Sequence, residues 1–146
     1  MREEKRGLEY FRVTTPIKLA LLWATLMSLY IYNDYFAMYV PGTIREMSEG
    51  RMGPLGPATP LVMVAAALLL AIPALMIFLS AALPPLWSKW LNAVLGAVYT
   101  AVEALTFQGP HLFYKIIVAI EIAVTLLIIA HALRWPRQTV QRLERT

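Results

Sequence analysis

The sequence predicts an all-α integral membrane protein, a four-helix bundle forming a single domain over residues 1–146. Three observations predict it. Hydrophobic residues make up 59 % of the chain and charged residues 15 %, against about 45–50 % and about 25 % in a soluble globular domain. Four apolar runs, at 17–39, 61–83, 86–107 and 111–133, each approach the ~20 residues that cross a ~30 Å hydrocarbon core. Basic residues gather ahead of the first run and behind the last.

Irregular backbone is not tolerated against lipid, so each run is expected to be helical. The first, Ile17–Tyr39, is too long for a cleaved leader and no small-residue cleavage site follows it, so it is expected to stay as a signal anchor. The connection "PGTIREMSEGRMGPLGPATP" (residues 41–60) carries glycines and prolines that break helix through most of its length. Within it, "TIREMSE" suits a single interfacial turn, and the whole is expected to form a long external loop, either merely mobile or a lid over the bundle mouth. The second and third runs are joined by "LPPLWSK", the third and fourth by the uncharged "QGP". Ala93, Ala97 and Ala101 in the third run, and Ala67, Ala71 and Ala74 in the second, have the small-residue spacing that lets helices approach closely in lipid.

The net charge of +4 is placed as a topology signal. Arg2, Lys5, Arg6, Arg12 and Lys18 precede the first run or open it, and Arg134, Arg137, Arg142 and Arg145 follow the last. Four spans put both ends on one side, so tails 1–16 and 134–146 are expected in the cytoplasm, N-in and C-in at the cell membrane. Attraction to anionic lipid heads follows; a nucleic-acid partner does not. Trp87, Trp90 and Trp135 fall at the expected inner boundary, and Tyr32, Tyr35, Tyr39 and Tyr114 toward the outer one, as interfacial belts require. The chain has no cysteine, which excludes thiol redox chemistry, disulfides and thiolate metal sites.

Four ionisable groups lie inside the runs: Asp34, Glu103, Lys115 and Glu121. The helical rise puts Asp34, Glu103 and Lys115 in one outer layer about 6–9 Å deep, with Asn33 beside them. Asp34 is expected to face inward and pair with Lys115, which also serves Glu103, either as a salt bridge fixing helix register or as a polar vestibule. Glu121 falls about 15 Å deep, at the midplane. Its neighbours in sequence, "IIVAIEIAVTLLIIA", offer nothing to neutralise it, and burial without a partner favours the neutral acid. Tyr30, Tyr99 and the Leu69 carbonyl share its depth. Pro73 has no N–H for that carbonyl, so it is expected to be free for Glu121. Trp23, Met27, Tyr30 and Asp34 on the first run, and Asn92, Gly96, Tyr99 and Glu103 on the third, follow a 4-3-4 spacing that lines one face of a helix. No second histidine shares the depth of His131, so no metal is assigned, and no cofactor is expected.

"LLWATLMSLYIYNDYFAMYVPG" (21–42), "AIPALMIFLSAALPPLWSKWLN" (71–92) and "FYKIIVAIEIAVTLLIIAHALRW" (113–135) resemble an uncharacterised family of small prokaryotic four-span membrane proteins, a domain of unknown function. The resemblance covers nearly the whole chain except the basic tails, and a looser similarity to DoxX-like proteins rests on span count and size. The resemblance implies the fold and no reaction. From the residues, the expected function is binding or transport of a small amphipathic or lipid-like molecule, with proton involvement. Glu121 would be the acid, Tyr30 and Tyr99 the orienting groups, and Asp34, Glu103 and Lys115 the gate, with Asn33 a further candidate binding residue at the level of the gate. The alternative is a non-catalytic accessory or assembly subunit, a homo-oligomer or part of a larger membrane complex. An intramembrane enzyme with Glu103 and Glu121 as paired acids ranks last, because their depths differ by about 8 Å.

Overall fold

The structure, a computed structural model, describes residues 12–136. Arg2, Lys5, Arg6, Arg137, Arg142 and Arg145, on which most of the expected cytoplasmic tails rests, lie outside the described residues. Those described form five α-helices and one 3-10 turn, with no strand beyond a single bridge between Arg51 and Pro57. The helices are α1 (Thr15–Ala37), α2 (Thr43–Ser48), α3 (Pro60–Ala82), α4 (Pro85–Thr106) and α5 (Leu112–Leu133); the 3-10 turn is Gly53–Leu55. The ends of the four long helices fall within two residues of the four apolar runs.

Proline sets most of those boundaries. α1, α3 and α4 each carry a proline in the first turn, where the missing N–H has no intrahelical partner to lose. Thr59 also caps α3, its hydroxyl accepting from the Val62 N–H at 3.3 Å. Leu83, ahead of Pro84, is extended (φ −77°, ψ 151°) and stops α3. Gly42 turns the chain into α2 at φ 93°, a left-handed conformation that side chains with a Cβ avoid.

The long helices touch in a ring: α1 against α3 and α5, α5 against α4, and α4 more lightly against α3. One end of the ring carries the 41–60 connection and the α4–α5 turn (the loop end). The other carries the α3–α4 turn and both ends of the described chain (the tail end). Leu19, Trp23 and Leu26 of α1, Met76 of α3, Tyr99 of α4 and Ile128 of α5 lie in the core. Outward-facing residues are mostly apolar, among them Leu61, Leu68 and Phe78 on α3 and Ile116 and Leu127 on α5. Three helices, α1, α3 and α5, are long and apolar enough to cross a membrane.

α4 differs because its apolar residues share the helix with Ser88, Lys89, Asn92 and Glu103. Its polar line is turned inward: Ser88, Asn92, Gly96, Tyr99 and Glu103 are all buried, while Trp87, Trp90, Val94 and Val98 are exposed. The alanine spacings do not mark the contacts. Ala93 is buried, but Ala97 and Ala101 of α4 and Ala67, Ala71 and Ala74 of α3 are exposed. The close approach is made by Gly96 instead, where an added Cβ would stand 2.8 Å from Ile129 Cγ1 and 3.5 Å from the Thr125 carbonyl oxygen.

The 41–60 connection folds back against the loop end. It leaves a cleft of about 190 Å³ lined in part by Ala37, Met47, Arg51, Pro54 and Tyr114. Exposed Tyr32, Tyr35 and Tyr39 stand at this end, exposed Trp87 and Trp90 at the other.

Candidate functional site

Hydrogen-bonding side chains inside the ring fall into three levels. At the tail end, Asn92 is a hub among α1, α3 and α4. Its Oδ1 accepts from Trp23 Nε1 at 2.7 Å and from Ser80 Oγ at 2.9 Å, and its Nδ2 donates to the Ser88 carbonyl at 2.8 Å. Ser88 Oγ donates across to the Ser80 carbonyl at 2.9 Å. All four side chains are fully buried. With its donors and acceptors matched, this knot is built for holding helices together. Nothing singles out Ser80 and Ser88 in the sequence, since a serine in an apolar run also bonds its own helix.

The middle level is one bond and one aromatic contact. Tyr99 Oη donates to the Leu69 carbonyl at 2.5 Å, and the Tyr99 ring meets Trp23 edge-on at 5.8 Å. The carbonyl released by Pro73 is therefore used by Tyr99, not by Glu121 as the sequence suggested.

Toward the loop end lies the acidic level. Glu103 of α4, 2 % exposed, accepts from Tyr30 Oη at 2.6 Å on one oxygen and from Thr125 Oγ1 at 3.0 Å on the other. Thr100 Oγ1 is 2.8 Å from Thr125 Oγ1. A hydroxyl has one hydrogen to give. With Thr125 donating to Glu103, Thr100 donates either to Thr125 or to the Gly96 carbonyl, also at 2.8 Å, and the first choice makes a chain from Thr100 through Thr125 to Glu103. Thr125 also lies 3.0 Å from the Ile122 carbonyl, an alternative acceptor in its own helix.

Glu121 of α5 is 2 % exposed and Asn33 of α1 is 7 % exposed. Glu121 has the Asn33 amide and the Glu103 and Asp34 carboxyls as its polar surroundings. Glu121 Oε1 and Asn33 Oδ1 are the two buried side-chain polar atoms that have no hydrogen-bond partner among the described residues. Both are acceptors, and this pair is the candidate site.

The packed register explains how the two glutamates come together. Gly96 of α4 lies against Thr125, Ile128 and Ile129 of α5, and Thr100 meets Thr125. The two helices run antiparallel, so Glu103, further toward the loop end of α4, stands about level with Ile122, beside Glu121, and reaches Thr125. The offset of about 8 Å expected from the sequence took the ends of the two apolar runs to be level, whereas α5 extends past the end of α4 toward the loop end.

The other expected site residues fall elsewhere. Asp34 is exposed, with Asn33 in the inward position next to it. Lys115 is half-buried, and the ion pair found among the described residues is Arg45–Glu49 at 3.1 Å, not Asp34–Lys115 or Glu103–Lys115. Tyr30 serves Glu103, and Tyr99 serves Leu69. No group of three or more histidine, cysteine or acidic side chains suited to a metal occurs among the described residues.

Comparison with known proteins gives one match: the family described as a family of unknown function (DUF6326) matches residues 11–142, so the chain belongs to that family. No curated protein and no solved structure matches.

Proposed function

We propose that this DUF6326 member is a four-span protein of the cell membrane, N-in and C-in, that binds or transports a small amphipathic or lipid-like molecule, with a proton exchanging at Glu121. The single observation that carries the reading is the pair of buried acceptors, Glu121 Oε1 and Asn33 Oδ1, without a donor. An unmet buried acceptor loses about 1–3 kcal/mol relative to a satisfied one, while every polar side chain of the Asn92 knot is satisfied a few turns away. A chain that matches its buried polar groups so closely at one level leaves a surplus at another where something else supplies the hydrogen.

A four-span bundle is supported by α4 itself. Its 22 residues give about 33 Å of helix, and its polar line bonds α1, α3 and α5 while its outer face is apolar. Lys89 at the α3–α4 turn stands at the same end as Arg12 and Arg134, in keeping with the positive-inside bias. A DoxX-like architecture, in span number and size, is part of the same proposal and adds no chemistry.

The test is infrared difference spectroscopy of the full chain in lipid, titrated with pH, with Glu121→Gln alongside. The expected result is a protonated-carboxyl band that titrates, is missing in Glu121→Gln, and shifts when an amphiphile is added. A Glu121 band indifferent to pH and to every amphiphile would overturn the reading, leaving an accessory subunit whose acid serves packing.

A further inference from the structure

The chemistry of the two unmet atoms narrows what enters. Both are oxygen acceptors, one from a carboxyl on α5 and one from an amide on α1. Beside them Glu103 already takes two hydroxyls, and the amide N–H2 of Asn33 already serves Glu121. An anionic headgroup would face the carboxyls of Glu103 and Glu121 with that donor engaged. Lys115, six residues from Glu121 on α5 and so about 9 Å along the axis, makes no ion pair among the described residues. A hard metal cation prefers six or more oxygen ligands, and the described residues hold no cluster of three acidic or histidine ligands. Two acceptors with a net negative surround instead match a group that carries positive charge and at least two N–H donors.

We propose that Asn33 Oδ1 and Glu121 Oε1 hold the protonated primary or secondary amine of an amphipathic molecule, each oxygen accepting one N–H. This deepens the binding reading above and rests on it. The amine occupies the place a proton on Glu121 otherwise fills, so amine and proton exclude one another there. Tyr30 on α1 and Glu103 on α4 are the titratable groups beside Glu121 that bias that exchange, and Asp34 adds its charge from the exposed side of α1. The apolar body of the ligand stays with the lipid, against the exposed turns of α1 and α5 that carry Phe36 and Ile120.

The experiment compares three amphiphiles of equal chain length on the full chain in zwitterionic lipid vesicles: octylammonium, octyltrimethylammonium and octanoate. The readout is the Glu121 carboxyl band. Octylammonium is expected to abolish the protonated band at about tenfold lower concentration than octyltrimethylammonium, which has no N–H to donate, because hydrogen bonds to charged groups carry that much discrimination. Octanoate is expected to leave the band in place, and Asn33→Ala to erase the preference for octylammonium.

Equal potency of the two ammonium compounds, or a response to octanoate, would overturn the amine assignment and leave the binding reading standing. Silence of the band toward all three would also overturn the amine assignment, and indifference to pH and to every other amphiphile as well would remove both. The wild-type comparison among amphiphiles decides the matter even if Asn33→Ala fails to fold.

Discussion

Asn33 and Asp34 are adjacent in sequence and opposite in fate: the amide is buried and the carboxylate exposed. Consecutive residues are about 100° apart around a helix, so only one of them can share the line of Leu19, Trp23, Leu26 and Tyr30. Desolvating a neutral amide is far less costly than desolvating a carboxylate, and the residue placed inward is the amide. The same reasoning at one atom explains Leu69. Pro73 removes the N–H that would bond its carbonyl, and Tyr99 supplies an O–H in its place. Tyr99→Phe is expected to destabilise the protein by about 0.6–1.7 kcal/mol, the range for hydrogen bonds between helices in lipid. The loss is expected to shrink in a Pro73→Ala background, where the restored N–H takes over. Unfolding in mixed micelles across the four-variant cycle checks it; equal losses in both backgrounds would show the two groups to be independent.

At the scale of the element, α4 is the helix that ties the ring together. It is amphipathic in the reverse of the soluble sense, with polar residues inside and apolar ones outside, the pattern that the proposed fourth span requires. Its junction with α5 depends on Gly96, whose absent Cβ leaves room for Ile129. Gly96→Ile is expected to destabilise by about 1–3 kcal/mol through overpacking, despite the better helix propensity of the larger residue. It is also expected to part Glu103 from Thr125, since Thr125 lies on the α5 turn facing Gly96. Stability measured in micelles together with the hydroxyl-sensitive Glu103 infrared band reports both effects. A Gly96→Ile variant as stable as the parent would mean that α4 and α5 are not tightly engaged at this level.

Across the whole molecule, the two ends of the ring are expected to face opposite sides of the bilayer. α1, α3 and α5 qualify as spans by length and apolarity, and the proposed architecture adds α4. With no native cysteine, single-cysteine reporters are free of background. Cysteines replacing Ser48 and Gln108 at the loop end are expected to react with a membrane-impermeant thiol reagent from outside intact cells. Cysteines replacing Lys89 and Arg134 at the tail end are expected to react only after the membrane is opened. Labelling of Lys89→Cys and Gln108→Cys from the same side would mean that α4 does not cross.

The sequence by itself determined where the long helices begin and end, because hydropathy is a sum over neighbours and proline acts on the bond beside it. It also determined the inward face of α4, since Asn92, Gly96, Tyr99 and Glu103 stand out at helical spacing against apolar residues. What only the tertiary structure decided is the rotation of α1, α3 and α5. These are apolar almost all round, and lipid is as apolar as a neighbouring helix, so the sequence pattern carries little rotational signal. That rotation is why Asn33 rather than Asp34 faces Glu121, why the alanine rows of α3 point outward, and why Ser80 meets Asn92. The neighbourhood of Glu103 and Glu121 was hidden for a second reason. It depends on the register of α4 against α5, set where Gly96 and Thr100 meet Thr125 to Ile129, and a register exists only once the helices are packed together.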